Sequence, residues 1–508
     1  MDAAGAPGGR DISAVKDEAA SEVEGGKLTR MAAGGAFWGL TRFATEQVFR
    51  LIVFACLARL LSPSDFGIFA LAVIFVDLGR ILAFTGLSES LIRAESADDE
   101  LSDTLFWLAI ARGGAVFVSL AALSIPAARI IGQPQVAPVI VALGACLLLE
   151  AMTSIHVARA TRAFRNRRLT LIALVCNFAG GAATVFAAYK GAGIWSFVVN
   201  QVVYGLLGIV LMWSAFPWAP RFRRPSRARL NEVLGFSGQV MAAQLLFVLG
   251  SRAQDFVAGR FLGPASLGQL RVGGRVFDMM YQAMIAPLAI VALPTLSRLQ
   301  NDPEAFRKAF ARMAALSAMI TCPAMLGFAA VGTDAIPTLF GQQWAEAASV
   351  MRILSLVAPA LVLGAFGGPT LMALGQGATV LRYAVLQVVT VVVASLFAVR
   401  FGLHGLAVAL VVRTYLLLPV QLWIFKRASG IRPWEVLRNL IPPMGAALVM
   451  AGILLALEPW VRGLIGQPVL RLFLTVPLGV VLYGAVLALV WRGFVAEQIQ
   501  AVRSVLRR

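Results

Sequence analysis

The sequence predicts an all-α membrane protein of about fourteen transmembrane helices: two pseudo-symmetric six-helix lobes followed by two C-terminal helices. Three observations predict it. The first is composition: of 508 residues, 59% are hydrophobic and 14% charged, with a mean hydropathy of +0.81, against roughly 45–50% apolar and 25% charged in a soluble domain. The second is spacing, because apolar runs of about 20 residues, enough to cross a bilayer core, recur along nearly the whole chain. The third is an internal repeat. Residues 58–67 read Ala-Arg-Leu-Leu-Ser-Pro-Ser-Asp-Phe-Gly and residues 259–268 read Gly-Arg-Phe-Leu-Gly-Pro-Ala-Ser-Leu-Gly. Arg59/Arg260, Leu61/Leu262, Pro63/Pro264 and Gly67/Gly268 thus match at one offset of 201, and the same offset pairs Asp77 with Asp278.

Residues 1–30 are polar and rich in Gly, Ala and Glu, without the apolar stretch of a signal peptide, so they read as a disordered cytosolic tail. Span 1 (33–59) carries Arg42, Glu46 and Arg50, each four residues apart and therefore on one face. Span 2 (66–91) starts at the first copy of the repeated turn and holds Asp77 and Arg80. Spans 3 and 4 (104–126, 136–158) follow an acidic loop, 94–103. Spans 5 and 6 (169–189, 193–215) are joined by Lys190-Gly-Ala-Gly193. Span 7 (236–258) carries Arg252 and Asp255, and span 8 (268–290) a polar stripe of Arg271, Arg275, Asp278 and Gln282. Spans 9 to 12 run 309–331, 347–373, 380–399 and 403–424, the last with Arg413 midway. The Phe401-Gly-Leu-His-Gly405 turn before span 12 matches the turn before span 6 at an offset of 212, so the second half carries a short insertion. Spans 13 and 14 (441–459, 469–491) fall outside the repeat. The expected domains are a tail over 1–30, an N-lobe over 31–219, a C-lobe over 220–430, and the last two helices with a cytosolic tail over 431–508.

The net charge of +18 sits in short loops, where it sets topology instead of marking a nucleic-acid surface. Clusters such as Arg159, Arg162, Arg165, Arg167 and Arg168, or Arg221, Arg223, Arg224, Arg227 and Arg229, alternate with turns holding isolated cations such as Arg129, Lys190 and Arg400. The positive-inside rule then puts both termini in the cytoplasm and both copies of the repeated turn outside. Two lobes of even span number share one orientation, related by an axis along the membrane normal. Four cysteines (Cys56, Cys146, Cys176, Cys322) lie in spans without a CxxC spacing, so neither a disulfide framework nor a zinc site is expected. His156 and His404 have no metal-ligand neighbours in sequence and read as interfacial, and Trp195, Trp213, Trp218, Trp344, Trp434 and Trp460 read as an aromatic belt.

A charge at mid-span costs roughly 2.5–3.5 kcal/mol on insertion scales, so such residues face a bundle interior or a wet cavity. Internal pairing (Arg42–Glu46, Asp77–Arg80, Arg275–Asp278) could make them structural clamps. Over spans 1, 2, 7 and 8, however, six arginines (Arg42, Arg50, Arg80, Arg252, Arg271, Arg275) stand against four carboxylates (Glu46, Asp77, Asp255, Asp278). The excess of guanidinium, whose planar fork suits phosphate, assigns the arginines to a phosphorylated substrate. Glu46, Asp77, Asp255, Asp278 and Arg413 are left as structural or coupling charges. Arg112, Glu150 and Arg352 read as lying nearer the membrane surfaces, within snorkelling reach. No stretch reads GxxxxGK[ST] and no catalytic constellation is present. No cofactor is expected. The energy source is then an ion gradient, the membrane potential or substrate flux.

The Arg59-Leu-Leu-Ser-Pro-Ser-Asp-Phe-Gly67 turn resembles the polysaccharide transporter family, the Wzx-like flippases of the multidrug/oligosaccharidyl-lipid/polysaccharide exporter superfamily. Arg162-Ala-Phe-Arg165, Leu339-Phe-Gly-Gln-Gln-Trp344 and Ala373-Leu-Gly-Gln376 fit in order, and the likeness runs from about residue 30 to the end. It implies a flippase that moves undecaprenyl-diphosphate-linked oligosaccharide repeats across the bacterial inner membrane for exopolysaccharide or lipopolysaccharide assembly. It further implies alternating access around a cationic cavity, with membrane lipid, a polysaccharide polymerase and export machinery as partners, and no enzyme activity. A peptidoglycan-precursor lipid flippase is the alternative. A drug/cation antiporter would favour an acidic cavity, and a membrane polymerase would carry a large outside loop; the longest here is about fifteen residues.

Overall fold

A computed structural model describes residues 45–93, 99–163, 165–222, 227–285, 292, 295–430 and 433–496. The tail expected over 1–30, Arg42 and the last twelve residues lie outside the described set. Two compact units are present, Met1–Phe54 and Ala55–Arg508. In the first, residues 45–54 are helical and place Glu46 and Arg50 one turn apart on the same face. Among the described residues there is no β-strand.

We number the helices of the second unit α1 (55–60), α2 (Pro63–Phe84), α3 (Leu87–Arg93), α4 (Asp99–Ile131), α5 (Val136–Arg162), α6 (Asn166–Tyr189), α7 (Trp195–Ala215), α8 (Arg227–Phe261) and α9 (Gly263–Met284). They continue as α10 (Pro303–Phe340), α11 (Ala345–Ser355), α12 (Ala358–Ala365), α13 (Gly367–Ala373), α14 (Gly377–Ala398), α15 (Gly402–Ser429), α16 (Pro433–Leu464) and α17 (Pro468–Val490). Among the described residues, which leave out 33–44 of span 1 and 286–290 of span 8, the apolar runs read from the sequence coincide with one helix or with consecutive helices. Among the described residues nine helices are long and apolar enough to cross a membrane, or ten when a bent pair counts as one span. The 53-residue stretch Gly377–Ser429 enters that number once, yet α14 and α15 fold back on each other at a short 3-10 turn. α9 is not among the nine, because Arg271, Arg275 and Asp278 interrupt its 22 residues. Large apolar side chains face outward, as a lipid solvent requires: Phe186, Leu416, Phe473 and Val480 are all more than 60% exposed.

Two predicted spans are broken. Span 2 divides into α2 and α3 at Thr85-Gly86, where Thr85 is extended and Gly86 has φ 85°. Arg112 of α4 donates from Nε to the Leu82 carbonyl at 3.1 Å, so this residue, expected near the surface, serves an acceptor left open by the break. Span 10 becomes α11, α12 and α13, with a 56° bend beside Pro359. Hydropathy registers neither break because the residues around both remain apolar.

α2 packs on α4, α5, α8 and α9, and α4 with α5, α6 with α7 and α5 with α7 form the other principal contacts of the N-terminal helices. A buried cluster including Leu71, Ile140, Leu143, Leu267, Leu270, Leu354 and Leu406 joins α2 and α5 to α9, α11 and α15. A second, with Phe306, Phe310, Phe366 and Phe425, lies within the C-terminal helices. The segment after α7 turns back onto α4 and α5. His156 is 1% exposed, stacks on Trp213 at 4.8 Å and meets the Trp218 carbonyl through Nε2 at 3.1 Å. Asp103, expected in an acidic loop, is buried and accepts from the Arg221 backbone N–H at 3.1 Å.

Candidate functional site

The repeated turn builds two helix starts by different means. In the first copy Ser62 caps α2 and Asp65 returns the bond to the Ser62 N–H at 2.9 Å, with Pro63 in the first turn, where no donor is missed. In the second copy there is no side-chain cap; Gly263, at φ 85°, makes the turn before Pro264. The two copies then touch each other. A Cβ on Gly67 would overlap the Pro264 carbonyl, and a Cβ on Gly268 would overlap the Pro63 carbonyl. Each glycine therefore receives the backbone of the other copy, and α2 and α9 cross at a separation that no larger residue permits.

Polar bonds surround this crossing. Arg59 donates to the Thr338 carbonyl at 2.6 Å and to Leu339 at 3.0 Å. Gln343 donates to Ala58 at 2.6 Å and to Leu61 at 3.0 Å, and Trp344 Nε1 donates to Ala58 at 2.7 Å. Gln269 bridges the Gln343 carbonyl and the Ala347 N–H. Trp344 is fully buried and packs edge-on against Phe66 at 5.1 Å, so it does not belong to an interfacial belt.

Further along the same helices the predicted charges form one chain. Glu150 of α5 accepts from Arg80 of α2 at 3.0 Å, and Arg80 reaches Asp77 of the same helix at 3.3 Å. The other Asp77 oxygen takes Arg252 of α8 at 2.5 Å. Arg252 approaches Asp255 at 3.8 Å, and Asp255 holds Arg271 of α9 at 2.5 Å. Asp278 stands in the field of Arg275 and Arg252. Arg413 lies apart on α15 beside Tyr383, and its buried Nε has no hydrogen-bond partner among the described residues. Of the eleven predicted charges, Arg80, Arg252, Arg271, Arg275, Asp77, Asp255 and Asp278 thus converge, while Glu46 and Arg50 belong to the first unit.

Glu150 is the member that sequence reasoning placed elsewhere. α5 runs on to Arg162, so Glu150 lies twelve residues inside the helix end instead of near the surface. Its inclusion alters the charge balance: in the second unit, Arg80, Arg252, Arg271 and Arg275 meet Asp77, Glu150, Asp255 and Asp278, four against four. The guanidinium excess counted from the sequence is absent from this cluster. A neutral, alternating chain is the arrangement that limits the cost of removing so many ions from water.

Beside Arg80 and Glu150 lies a cavity of about 430 Å³ between α2, α5, α6 and α7. Among the described residues no group of His, Cys, Asp and Glu is placed to hold a metal ion.

Fold and site together define a polytopic helical membrane protein whose packed helices are linked by a chain of ion pairs. The chain belongs to the polysaccharide biosynthesis protein family, whose model matches residues 56–349. It is 24% identical over 460 residues to the succinoglycan biosynthesis transport protein ExoT of Rhizobium meliloti (strain 1021), covering 90% of this chain and 92% of that one. It is 22% identical over 351 residues to the lipopolysaccharide biosynthesis protein WzxC of Escherichia coli (strain K12), covering 68% and 70%. Among solved structures, the lipid II flippase MurJ in its inward closed conformation superposes with a TM-score of 0.71 at 12% identity, over 90% of this chain and 99% of that one. An inward-facing MATE family transporter of the MOP superfamily gives 0.61 at 15% identity, over 76% and 95%. At these identities the structural likeness is one of fold.

Proposed function

We propose that the protein is a flippase that carries undecaprenyl-diphosphate-linked oligosaccharides across the bacterial inner membrane for exopolysaccharide or lipopolysaccharide assembly. The observation that carries this reading is the Glu150–Arg80–Asp77–Arg252–Asp255–Arg271 chain, which holds partly exposed guanidinium groups between α2, α5, α8 and α9, each cation against a carboxylate. A diphosphate offers arginine the same bidentate geometry as a carboxylate. It binds by exchange, taking Arg252, Arg271 and Arg275 from their acids, and the freed Asp77 no longer ties α2 to α8. Binding and opening are thereby the same event. Arg42 and Arg50 are assigned to the same anion on the sequence alone.

The mechanism we assign is alternating access between lobes 31–219 and 220–430, with fourteen spans and both termini in the cytoplasm. The crossing at Gly67 and Gly268 serves as the outer seal. An ion gradient or the membrane potential supplies the energy, and a polymerase and export machinery receive the product. Relatives named for succinoglycan and lipopolysaccharide biosynthesis favour this substrate class over the peptidoglycan precursor.

The test is complementation of a strain deleted for the gene. Arg275→Ala combined with Arg252→Ala is expected to abolish surface polysaccharide while membrane levels of the protein stay normal. Normal polysaccharide from the folded double variant would overturn the reading, and cell lysis on depletion of the wild type would point to the peptidoglycan precursor instead.

A further inference from the structure

We infer that the cavity between α2, α5, α6 and α7 is a glycan pocket, taking the sugar next to the diphosphate of a lipid-linked substrate. The inference rests on the flippase reading and adds the place where the saccharide sits. At about 430 Å³ the cavity is of small-molecule size and far larger than a single ion needs. Part of its polar lining keeps hydrogen-bonding capacity to spare. Glu150 gives one carboxylate oxygen to Arg80 and keeps the other without a hydrogen bond among the described residues. The Gln201 carboxamide and the Ser88 hydroxyl also line it and have no hydrogen-bond partner there. A carboxylate acceptor, an amide that both donates and accepts, and a hydroxyl are the groups that pair with sugar hydroxyls. Phe84 and Tyr204 add apolar ring surface for a sugar's C–H face.

Charge excludes the other end of the substrate. Asp77 and Glu150 both border the cavity against the single cation Arg80, which already spans the two of them. A diphosphate entering here meets net negative charge, whereas Arg252, Arg271 and Arg275 lie on α8 and α9, across Asp77. The ion chain therefore sorts an amphiphilic headgroup, with phosphate on the α8–α9 side and neutral hydroxyls on the α5–α7 side.

The chain carries its own reporter, since Cys146 lines the same cavity. The experiment uses the full chain in nanodiscs with two sets of probes: undecaprenyl diphosphate alone, and the same lipid bearing glucose, galactose or N-acetylglucosamine. Native mass spectrometry reads binding, and peptide-level alkylation by N-ethylmaleimide reads Cys146. At least one glycosylated lipid is expected to bind about tenfold more tightly than the bare lipid, the scale of one or two added hydrogen bonds, and to slow alkylation of Cys146. Gln201→Leu should erase both differences while binding of the bare lipid is unchanged, and Gln201→Asn should restore part of them. Equal binding of all the lipids with unaltered Cys146 alkylation would overturn the pocket and leave the flippase reading standing. Failure of every probe to bind would overturn both.

Discussion

Asp77 is the residue that joins α2 to α8, because its two oxygens serve Arg80 of its own helix and Arg252 of α8, 175 positions away. Removing one partner of such a pair strands the other, at a cost of about 3–5 kcal/mol when the site is buried. Asp77 and Arg252 have side chains 18% and 25% exposed, which places the pair toward that limit without reaching it. Asp77→Asn and Arg252→Gln are each expected to lower the unfolding midpoint of the purified protein, and the double variant to fall no lower than the worse single. Fully additive losses in this cycle would show that the two side chains act independently. The sequence exposed these residues because an ion in an apolar run is conspicuous, and the Asp77–Arg80 pair was legible as an i,i+3 spacing. The bonds Arg252–Asp77, Arg271–Asp255 and Arg80–Glu150 join different helices, and no spacing encodes them. Glu150 reads as nearer a helix end in the sequence because the apolar run stops at 158, whereas α5 continues to Arg162.

At the scale of elements, the repeated turn acts as a contact between its own two copies. Its helix-starting role could be read directly, since Ser-Pro-x-Asp is a capping box with proline in the first turn. That Gly67 and Gly268 face each other's proline carbonyls could not, because a repeat marks common ancestry and says nothing of proximity. The obstacle that an added methyl meets is backbone, which cannot swing aside as a side chain can. Gly67→Ala and Gly268→Ala are therefore expected to force α2 and α9 apart, each costing about 1–3 kcal/mol as overpacking does. On the proposed orientation, a cysteine introduced as Ser64→Cys reads the same event from outside. Its reaction with a membrane-impermeant maleimide on intact cells should rise several-fold in the Gly67→Ala background, measured against the chain without Ser64→Cys. An unchanged rate would mean that the crossing does not seal the outer face.

At the scale of the whole molecule, the helices outside the repeat declare which neighbours they travel with. α16 and α17 pack chiefly on α10 and on each other. One end of this bundle is tied by charge: Asp334 of α10 takes Arg471 of α17 at 2.9 Å and Arg462 of α16 at 3.7 Å, and Glu458 takes Arg462 at 2.6 Å. Tyr483 donates to the Met319 carbonyl at 3.1 Å farther along, and Met450 and Leu454 pack on Ala330 between them. Contacts of both kinds distributed along three helices are those of a rigid body. The α2–α9 crossing is different in kind, since at Gly67 and Gly268 backbone meets backbone, beside an apolar core that the two helices share. The alternating access proposed above requires relative motion at the crossing and none within the α10–α16–α17 bundle. Cross-linking tests that contrast in one experiment. Thr333→Cys with Glu458→Cys, joined by a short bis-maleimide, is expected to leave surface polysaccharide intact in cells. Ser64→Cys with Ala265→Cys, joined by the same reagent across the crossing, should abolish it, and reversal with a cleavable linker should restore it. Loss of polysaccharide from the first cross-link would place the moving boundary inside the C-terminal half, and survival of transport after the second would rule out opening at the repeated turn.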